Sequence, residues 1–289
     1  MRAAVAGSPI GHSLSPVLHR AAYAGLGLAG WTYQAIECDE AGLPGLLRDC
    51  GPGWAGLSLT MPLKRAVLPL LDWAEPLVSQ VGGANTVVLR DGRRLGHNTD
   101  VPGMIAALAH AAPDLAAAQH PGRAPHPART GVSALILGAG ATACAALAAL
   151  HGLGLATVTA AVRDPGRAGD LRAAAQRLGL ELRLARFGAD PAAAGDRLLL
   201  VSTVPAGAAD GYAARIAAGA LAPAAILDVV YHPWPTPLAA AAAAAGAAVA
   251  SGFDLLLHQA AGQVELMTGR PAPLAAMRTA GLAALAVRE

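Results

Sequence analysis

Lys64 is the only lysine among the 21 basic residues of this 289-residue chain; every other basic side chain is arginine. A chain so rich in Ala, Gly, Pro and Arg reads as the product of a GC-rich genome, in which Lys drifts to Arg wherever charge alone is needed. Arg cannot give up its proton in a protein, whereas a Lys ammonium can when its surroundings favour it, so a retained lysine points to amine acid/base chemistry. Asparagine is equally scarce. Asn85 and Asn98 are the only two, each followed by threonine, in Gly83-Ala84-Asn85-Thr86 and Gly96-His97-Asn98-Thr99-Asp100. Asp100 supplies a carboxylate that could orient an ammonium. The plain alternative is a leftover surface lysine and two turn asparagines. Near the start, Ser15 before Pro16 has the form of an N-cap with proline at the first helical position, which leaves Ser13 unexplained. Two hydroxyls two residues apart at a helix N-terminus would also receive a carboxylate.

A second constellation lies past the middle. Gly138-Ala139-Gly140-Ala141-Thr142-Ala143 follows the apolar run Ala134–Leu137 and opens an alanine-rich helix, the arrangement that brings a backbone and a helix N-terminus up to a pyrophosphate. Alanine stands in the third glycine position, which the motif tolerates. After the next apolar run, ending at Val162, come Arg163 and Arg167 with Asp164 between them. Arginine there suits a 2′-phosphate and favours NADP; the acid keeps NAD open.

The elements that must position these groups follow from the patterning. The first hundred residues alternate apolar and amphipathic runs, as in an α/β domain: strands over 3–6, 31–38 and 54–60, a helix over 40–50, and a hairpin of 85–89 and 93–97 around Asp91-Gly92. Lys64 then opens a helix just past the carboxyl end of a strand, where ligands collect in open α/β sheets. A helix is expected over 101–109, a loose insertion over 110–131, strands over 157–162, 197–204 and 225–231, a helix over 238–248, a last strand to Ser251 and a final helical region over 254–287.

Composition excludes several classes. A net charge of +2 and 3% aromatic residues offer neither a basic stripe nor stacking platforms for nucleic acid. The uncharged stretch 132–162 imitates a membrane span, but its glycines and alanines read as strand, helix and strand in a buried sheet. The first nine residues are too short in their apolar part for a signal peptide, which points to the cytoplasm. Cys38, Cys50 and Cys144 lack metal-ligand spacing, and His110, His120 and His126 read as solvated, so no metal is expected.

Over nearly its whole length the chain resembles the shikimate dehydrogenase family. The matching motifs are Pro9-Ile10-Gly11-His12-Ser13-Leu14-Ser15-Pro16, Thr60-Met61-Pro62-Leu63-Lys64, the two asparagine stretches, the glycine loop, Ser202-Thr203-Val204-Pro205, Asp228-Val229-Val230-Tyr231 with Thr236-Pro237-Leu238, and Gln259. The resemblance implies an α/β fold in which a discontinuous substrate-binding domain (1–100 and 254–289) and a Rossmann-like NADP-binding domain (101–253) enclose a cleft. It implies reversible NADPH-dependent reduction of 3-dehydroshikimate to shikimate, on the route to chorismate and aromatic amino acids, by a monomer or homodimer. Carried over by position, Lys64 and Asp100 look like the catalytic pair, and Ser13 and Ser15 like the substrate carboxylate site. Thr60, Asn85, Asp100, Gln259 and Tyr231 look like further substrate contacts. Gly138, Ala139, Gly140, Ala141, Thr142, Arg163, Arg167, Thr203, Val204, Gly252 and Leu255 look like the cofactor site. Ser58 stands where many members have asparagine, and Asp254-Leu255 where Gly-Met is usual, which keeps open a quinate or amino-analogue substrate, while Asp164 keeps open an NAD-using quinate/shikimate dehydrogenase. A catalytically silent sensor of such ligands is a more distant alternative.

Overall fold

The computed structural model describes residues 1–114, 131–189 and 196–287. The first stretch forms β1 (Arg2–Gly7), α1 (Ser15–Gly25), β2 (Thr32–Glu37), α2 (Leu43–Asp49), β3 (Trp54–Leu59), a one-turn α3 (Leu63–Ala66), β4 (Trp73–Ala74), α4 (Pro76–Val81), β5 (Thr86–Arg90) and β6 (Arg93–His97). Then come α5 (Asp100–Ala111), β7 (Val132–Leu137), α6 (Ala141–Gly152), β8 (Thr157–Val162), α7 (Gly169–Leu178), β9 (Glu181–Arg186) and β10 (Arg197–Ser202). The remaining elements are α8 (Asp210–Ala217), β11 (Pro223–Asp228), α9 (Pro237–Ala244), β12 (Ala248–Ala250), α10 (Gly252–Thr268) and α11 (Leu274–Ala286). They divide into two compact units, Met1–Asp100 with Leu256–Glu289, and Val101–Leu255.

The sheet of the first unit runs β2-β1-β3-β5-β6-β4, with β1 parallel to β2 and β3, and β5 antiparallel to β3 and β6. Its central strands β1 and β3 are apolar on both faces because both are covered. Ala4, Ala6, Leu57, Leu59 and Val87 pack with Leu43, Leu63 and Val78 on one side, while Ala3, Val5 and Ala55 pack with Tyr23, Tyr33 and Met267 on the other. The second unit has a wholly parallel sheet, β12-β11-β10-β7-β8-β9. Leu135, Leu137, Leu200 and Ile226 of this sheet pack against Tyr212 and Ile216 of α8 and Leu238 and Ala242 of α9. Strand order reverses between β7 and β10, the doubly wound pattern whose switch point is a ligand crevice. The uncharged stretch 132–162 is accordingly β7, α6 and β8, and no helix among the described residues is long and apolar enough to cross a membrane.

Several boundaries differ from the sequence expectation. α5 continues to Ala111, so the expected insertion over 110–131 starts inside a helix; its stretch 115–130, with His120 and His126, lies outside the described residues. The helix expected to reach Ala248 ends at Ala244, because Gly246 turns at φ +83° and releases the chain into β12. The final region is two helices. Gly269 at φ +71° ends the first, and Pro271 and Pro273 keep the chain extended until α11 starts.

Candidate active site

The topology of the first unit brings the suspected chemistry to one edge of its sheet. β1 and β3 run parallel, with Ala6 opposite Leu59, so the loops carrying Ser13 and Thr60 leave the same edge. β5 is antiparallel to β3, with Ser58 opposite Thr86, so Asn85 lies at that edge too. Thr86 in turn faces His97, and β6 delivers Asn98, Thr99 and Asp100 there.

Lys64 is held by its own backbone: α3 is anchored by fully buried Leu63, and the Lys64 carbonyl accepts from Ala84 N–H at 2.8 Å, tying the helix to the asparagine loop. Lys64 Nζ donates to Asp100 Oδ2 at 2.6 Å, with side-chain exposures of 16% and 10%. Asp100 Oδ1 accepts from Asn85 Nδ2 at 2.9 Å, so both carboxylate oxygens are engaged. Asn85 Nδ2 also donates to Thr99 Oγ1 at 2.9 Å and reaches Gln259 Oε1 at 3.4 Å, while its Oδ1 accepts from Thr99 N–H at 2.8 Å. An ammonium, a carboxylate and an amide thus converge in a largely buried place, where charge-assisted hydrogen bonds are strong. The two asparagines part company. Asn98 Nδ2 donates to Gly83 O at 2.9 Å and its backbone N–H to Glu75 Oε1 at 2.6 Å, so Asn98 braces the loop.

Thr60 follows β3 directly, its N–H bonded to Ala6 O, and it packs so closely on Gly7 that a Cβ on that glycine would collide with the threonine methyl. The expected cap at Ser15 is corrected. Ser15 is the first residue of α1, and its N–H donates to Ser13 Oγ at 3.3 Å, so the hydroxyl serving the helix start is that of Ser13.

In the second unit the expected cofactor residues all follow carboxyl ends of parallel strands. Gly138 has φ +114°, and a Cβ there would lie 2.5 Å from Thr203 Oγ1, which donates to Leu137 O at 2.7 Å. The loops after β7 and β10 are therefore clamped together at the switch point, with Val204 beside them. Gly140 has open space where a Cβ would be, and no side chain caps α6, so its first N–H groups remain available to an anion. These features fit a dinucleotide pyrophosphate. Arg163 and Arg167 are exposed beyond β8. Asp164 Oδ1 accepts Gly166 N–H at 2.8 Å and so shapes the turn that carries Arg167. Tyr231 is half-buried beyond β11. Gly252 abuts the Val229 and Val230 backbone, where a side chain would collide, and Leu255 is buried.

Two interactions escaped the sequence reading. Asp254 forms a reciprocal capping box with Ser251: its Oδ2 accepts from Ser251 N–H at 3.1 Å and Oγ–H at 2.6 Å, and Ser251 Oγ accepts from Asp254 N–H at 3.1 Å. The S-x-x-D spacing ahead of an apolar run was its signal. The other is made by Gln263, one turn beyond Gln259 on α10, a position that no local pattern singled out. Among the described residues no cluster of His, Cys, Asp or Glu is arranged to hold a metal ion.

An α/β unit with an amine–carboxylate pair at its sheet edge, carried in one chain with a doubly wound unit built for a dinucleotide, defines a nicotinamide-dependent oxidoreductase. A family model described as the shikimate dehydrogenase substrate binding domain matches residues 5–87, and one described as the shikimate 5'-dehydrogenase C-terminal domain matches residues 252–280. The shikimate dehydrogenase (NADP(+)) of Thermus thermophilus is 35% identical, covering 99% of this chain and 100% of its own. The crystal structure of Mycobacterium tuberculosis shikimate dehydrogenase matches with a TM-score of 0.82 and 42% identity over 98% of this chain and 99% of that one. That of the Thermus thermophilus enzyme in complex with NADP(H) and shikimate matches with a TM-score of 0.79 and 33% identity over 99% and 100%. The chain belongs to the shikimate dehydrogenase family.

Proposed function

We propose that this chain is an NADP-dependent shikimate dehydrogenase, interconverting shikimate and 3-dehydroshikimate on the route to chorismate and aromatic amino acids. The observation that carries the reading is the Lys64–Asp100–Asn85 cluster at the carboxyl edge of β3, in a chain whose second unit has a dinucleotide-binding switch point. NADP, when bound, supplies the hydride acceptor or donor at its nicotinamide ring. Gly138–Thr142, Thr203 and Val204 hold its pyrophosphate side, Arg163 and Arg167 its 2′-phosphate, and Gly252 and Leu255 the neighbourhood of the ring. With the Asp164 carboxylate turned to Gly166 N–H, the arginines are left to choose the cofactor, which supports NADP over NAD.

The catalytic roles follow from charge. When the ketone is reduced its oxygen becomes negative, and the Lys64 ammonium within hydrogen-bond reach stabilises that charge and donates the proton; in oxidation the same amine takes the proton back. Asp100 keeps Lys64 aimed by one oxygen, and its remaining lone pairs accept from a neighbouring substrate hydroxyl. Asn85, Gln259, Thr60 and Tyr231 fix the other hydroxyls, and the Ser13 and Ser15 hydroxyls receive the carboxylate. The chain works in the cytoplasm, a placement supported by Cys38, Cys50 and Cys144 forming no disulfide among the described residues.

The test is a spectrophotometric screen of shikimate and quinate against NADP⁺ and NAD⁺ at alkaline pH, where proton release favours oxidation. Fastest reduction with shikimate and NADP⁺ is expected. No absorbance change with any pairing overturns the proposal, and preference for quinate or NAD⁺ reassigns the substrate or cofactor.

A further inference from the structure

Behind the Lys64 cluster lies a second layer of polar groups that the reaction does not touch. Gln263 is 1% exposed, and its carboxamide fills all four of its hydrogen-bonding positions. Oε1 accepts from Ser58 Oγ at 2.8 Å and His19 Nε2 at 3.2 Å; Nε2 donates to the Asn85 carbonyl at 3.2 Å and to Thr86 Oγ1 at 3.1 Å. The amide cannot be reversed, because a backbone carbonyl only accepts and the nitrogen must face it. His19 therefore carries its hydrogen on Nε2, and complete burial keeps the ring neutral, pushing it down to about 3.

This orientation propagates. Upstream, Tyr33 O–H donates to Ser58 Oγ at 2.6 Å, leaving the serine hydrogen for Gln263. Downstream, Thr86 Oγ1 has a lone pair occupied by Gln263, so its own hydrogen goes to Asn85 Oδ1 at 2.8 Å, and Asn85 Nδ2 then donates to Asp100 Oδ1. One hydrogen of each member of the series Tyr33, Ser58, Gln263, Thr86, Asn85 points to the next, and the last to the Asp100 carboxylate. Such aligned chains polarise one another and reward full satisfaction.

We propose that Gln263 is a positioning residue for the reaction: by fixing the sense of the Thr86 hydroxyl and the Asn85 amide, it holds Asp100, and through it Lys64, in the reactive arrangement. Without its donor the Thr86 hydroxyl is a free rotor, and the Asn85 oxygen relies on Thr99 alone. The proposal rests on the reading of Lys64 and Asp100 as the catalytic pair. It is distinct from the substrate contacts assigned above, because Gln263 reaches the cluster only through Thr86 and Asn85.

Steady-state oxidation of shikimate by Gln263→Leu and Gln263→Met tests it, beside thermal unfolding of the same samples. Both keep an apolar side chain of similar volume and offer no donor. In both, kcat per folded enzyme is expected to fall about tenfold, the worth of one hydrogen bond lost from transition-state alignment, with KM for NADP⁺ unchanged. Adding Ser58→Ala to Gln263→Met should then cost no further turnover, since both act through one series. A lowered Tm with parental kcat means packing alone and overturns the proposal, as does a double variant whose losses multiply. If neither Gln263 variant folds, Ser58→Ala carries the test: a roughly threefold fall in kcat, a fraction of one hydrogen bond's worth, supports it and parental kcat overturns it. Lys64→Ala in the same assay separates the two levels. Retained turnover there removes the catalytic pair and this proposal with it, whereas lost turnover with parental Gln263 variants removes only this proposal.

Discussion

Replacing Lys64 tests the chemistry most directly, and two replacements ask different questions. Lys64→Ala removes an ammonium bonded to Asp100 Oδ2 at 2.6 Å. The pair is mostly but not wholly buried, at 16% and 10% side-chain exposure, so its loss costs between the extremes for exposed and fully buried pairs, about 1–3 kcal/mol. Asp100 keeps its Asn85 partner, which argues for the lower part of that range. For a chain of this size each kcal/mol shifts Tm by roughly 2–4 °C, so the variant remains folded at assay temperature. The rate effect is larger: loss of a general acid/base lowers kcat by about 10²–10⁴, or roughly 3–5 kcal/mol of barrier. Lys64→Arg keeps the charge but cannot release a proton, so it should recover stability and little of the rate. Both are assayed by initial rates of NADPH formation from shikimate, with KM for NADP⁺ expected to match the parent because Lys64 lies outside the dinucleotide loops. Near-parental kcat in Lys64→Ala would refute the assignment. Near-parental kcat in Lys64→Arg would refute proton transfer by the amine and leave only charge stabilisation.

Arg163→Ala combined with Arg167→Ala should raise KM for NADP⁺ by about tenfold or more, the scale of one or two charge-assisted hydrogen bonds, while KM for NAD⁺ moves little. A parallel rise for both cofactors would show that the arginines do not read the 2′-phosphate. Asp254→Ala, which opens the Ser251 capping box, should lower stability by about 1 kcal/mol in denaturant unfolding, and an unchanged midpoint would deny the cap its role. His19 is held neutral by burial, its value falling from 6.5 to about 3. The unfolded chain then binds the proton first, so this stability is complete above pH 6.5 and is lost as pH falls towards 3. The parent should therefore lose Tm more steeply than His19→Gln across that window, and equal slopes would contradict the assignment.

What could be read in the chain beforehand follows the range of the forces involved. The glycine loop, the Asp91-Gly92 hairpin and the strand leading to Lys64 are set by neighbours a few residues apart, and each stands where the patterning puts it. β9 went unread although Glu181–Leu184 alternates charged and apolar side chains; it is an edge strand with a charged face, held by its pairing with β8. The break between α10 and α11 was written in Gly269, Pro271 and Pro273 but was masked by the alanine-rich pattern on either side. Gln263 is the opposite case: its bond to Ser58 spans 205 residues, and no local pattern distinguishes it from a surface glutamine. Ser58 likewise is a hydroxyl shared between Tyr33 and Gln263, partners 25 and 205 residues away that no local pattern foretells.

The division of the chain has a consequence for how the protein comes into being. The second unit is continuous, Val101–Leu255, and has emerged complete before the first can close, because the first needs Leu256–Glu289 to return to it. Until α10 arrives, Ser58, His19 and Thr86 lack the one carboxamide that joins them, and Asn85 lacks Gln259. Catalytic competence thus waits on α10, and a chain cut off within that helix just after Leu255 holds a finished dinucleotide unit and an unfinished reaction centre.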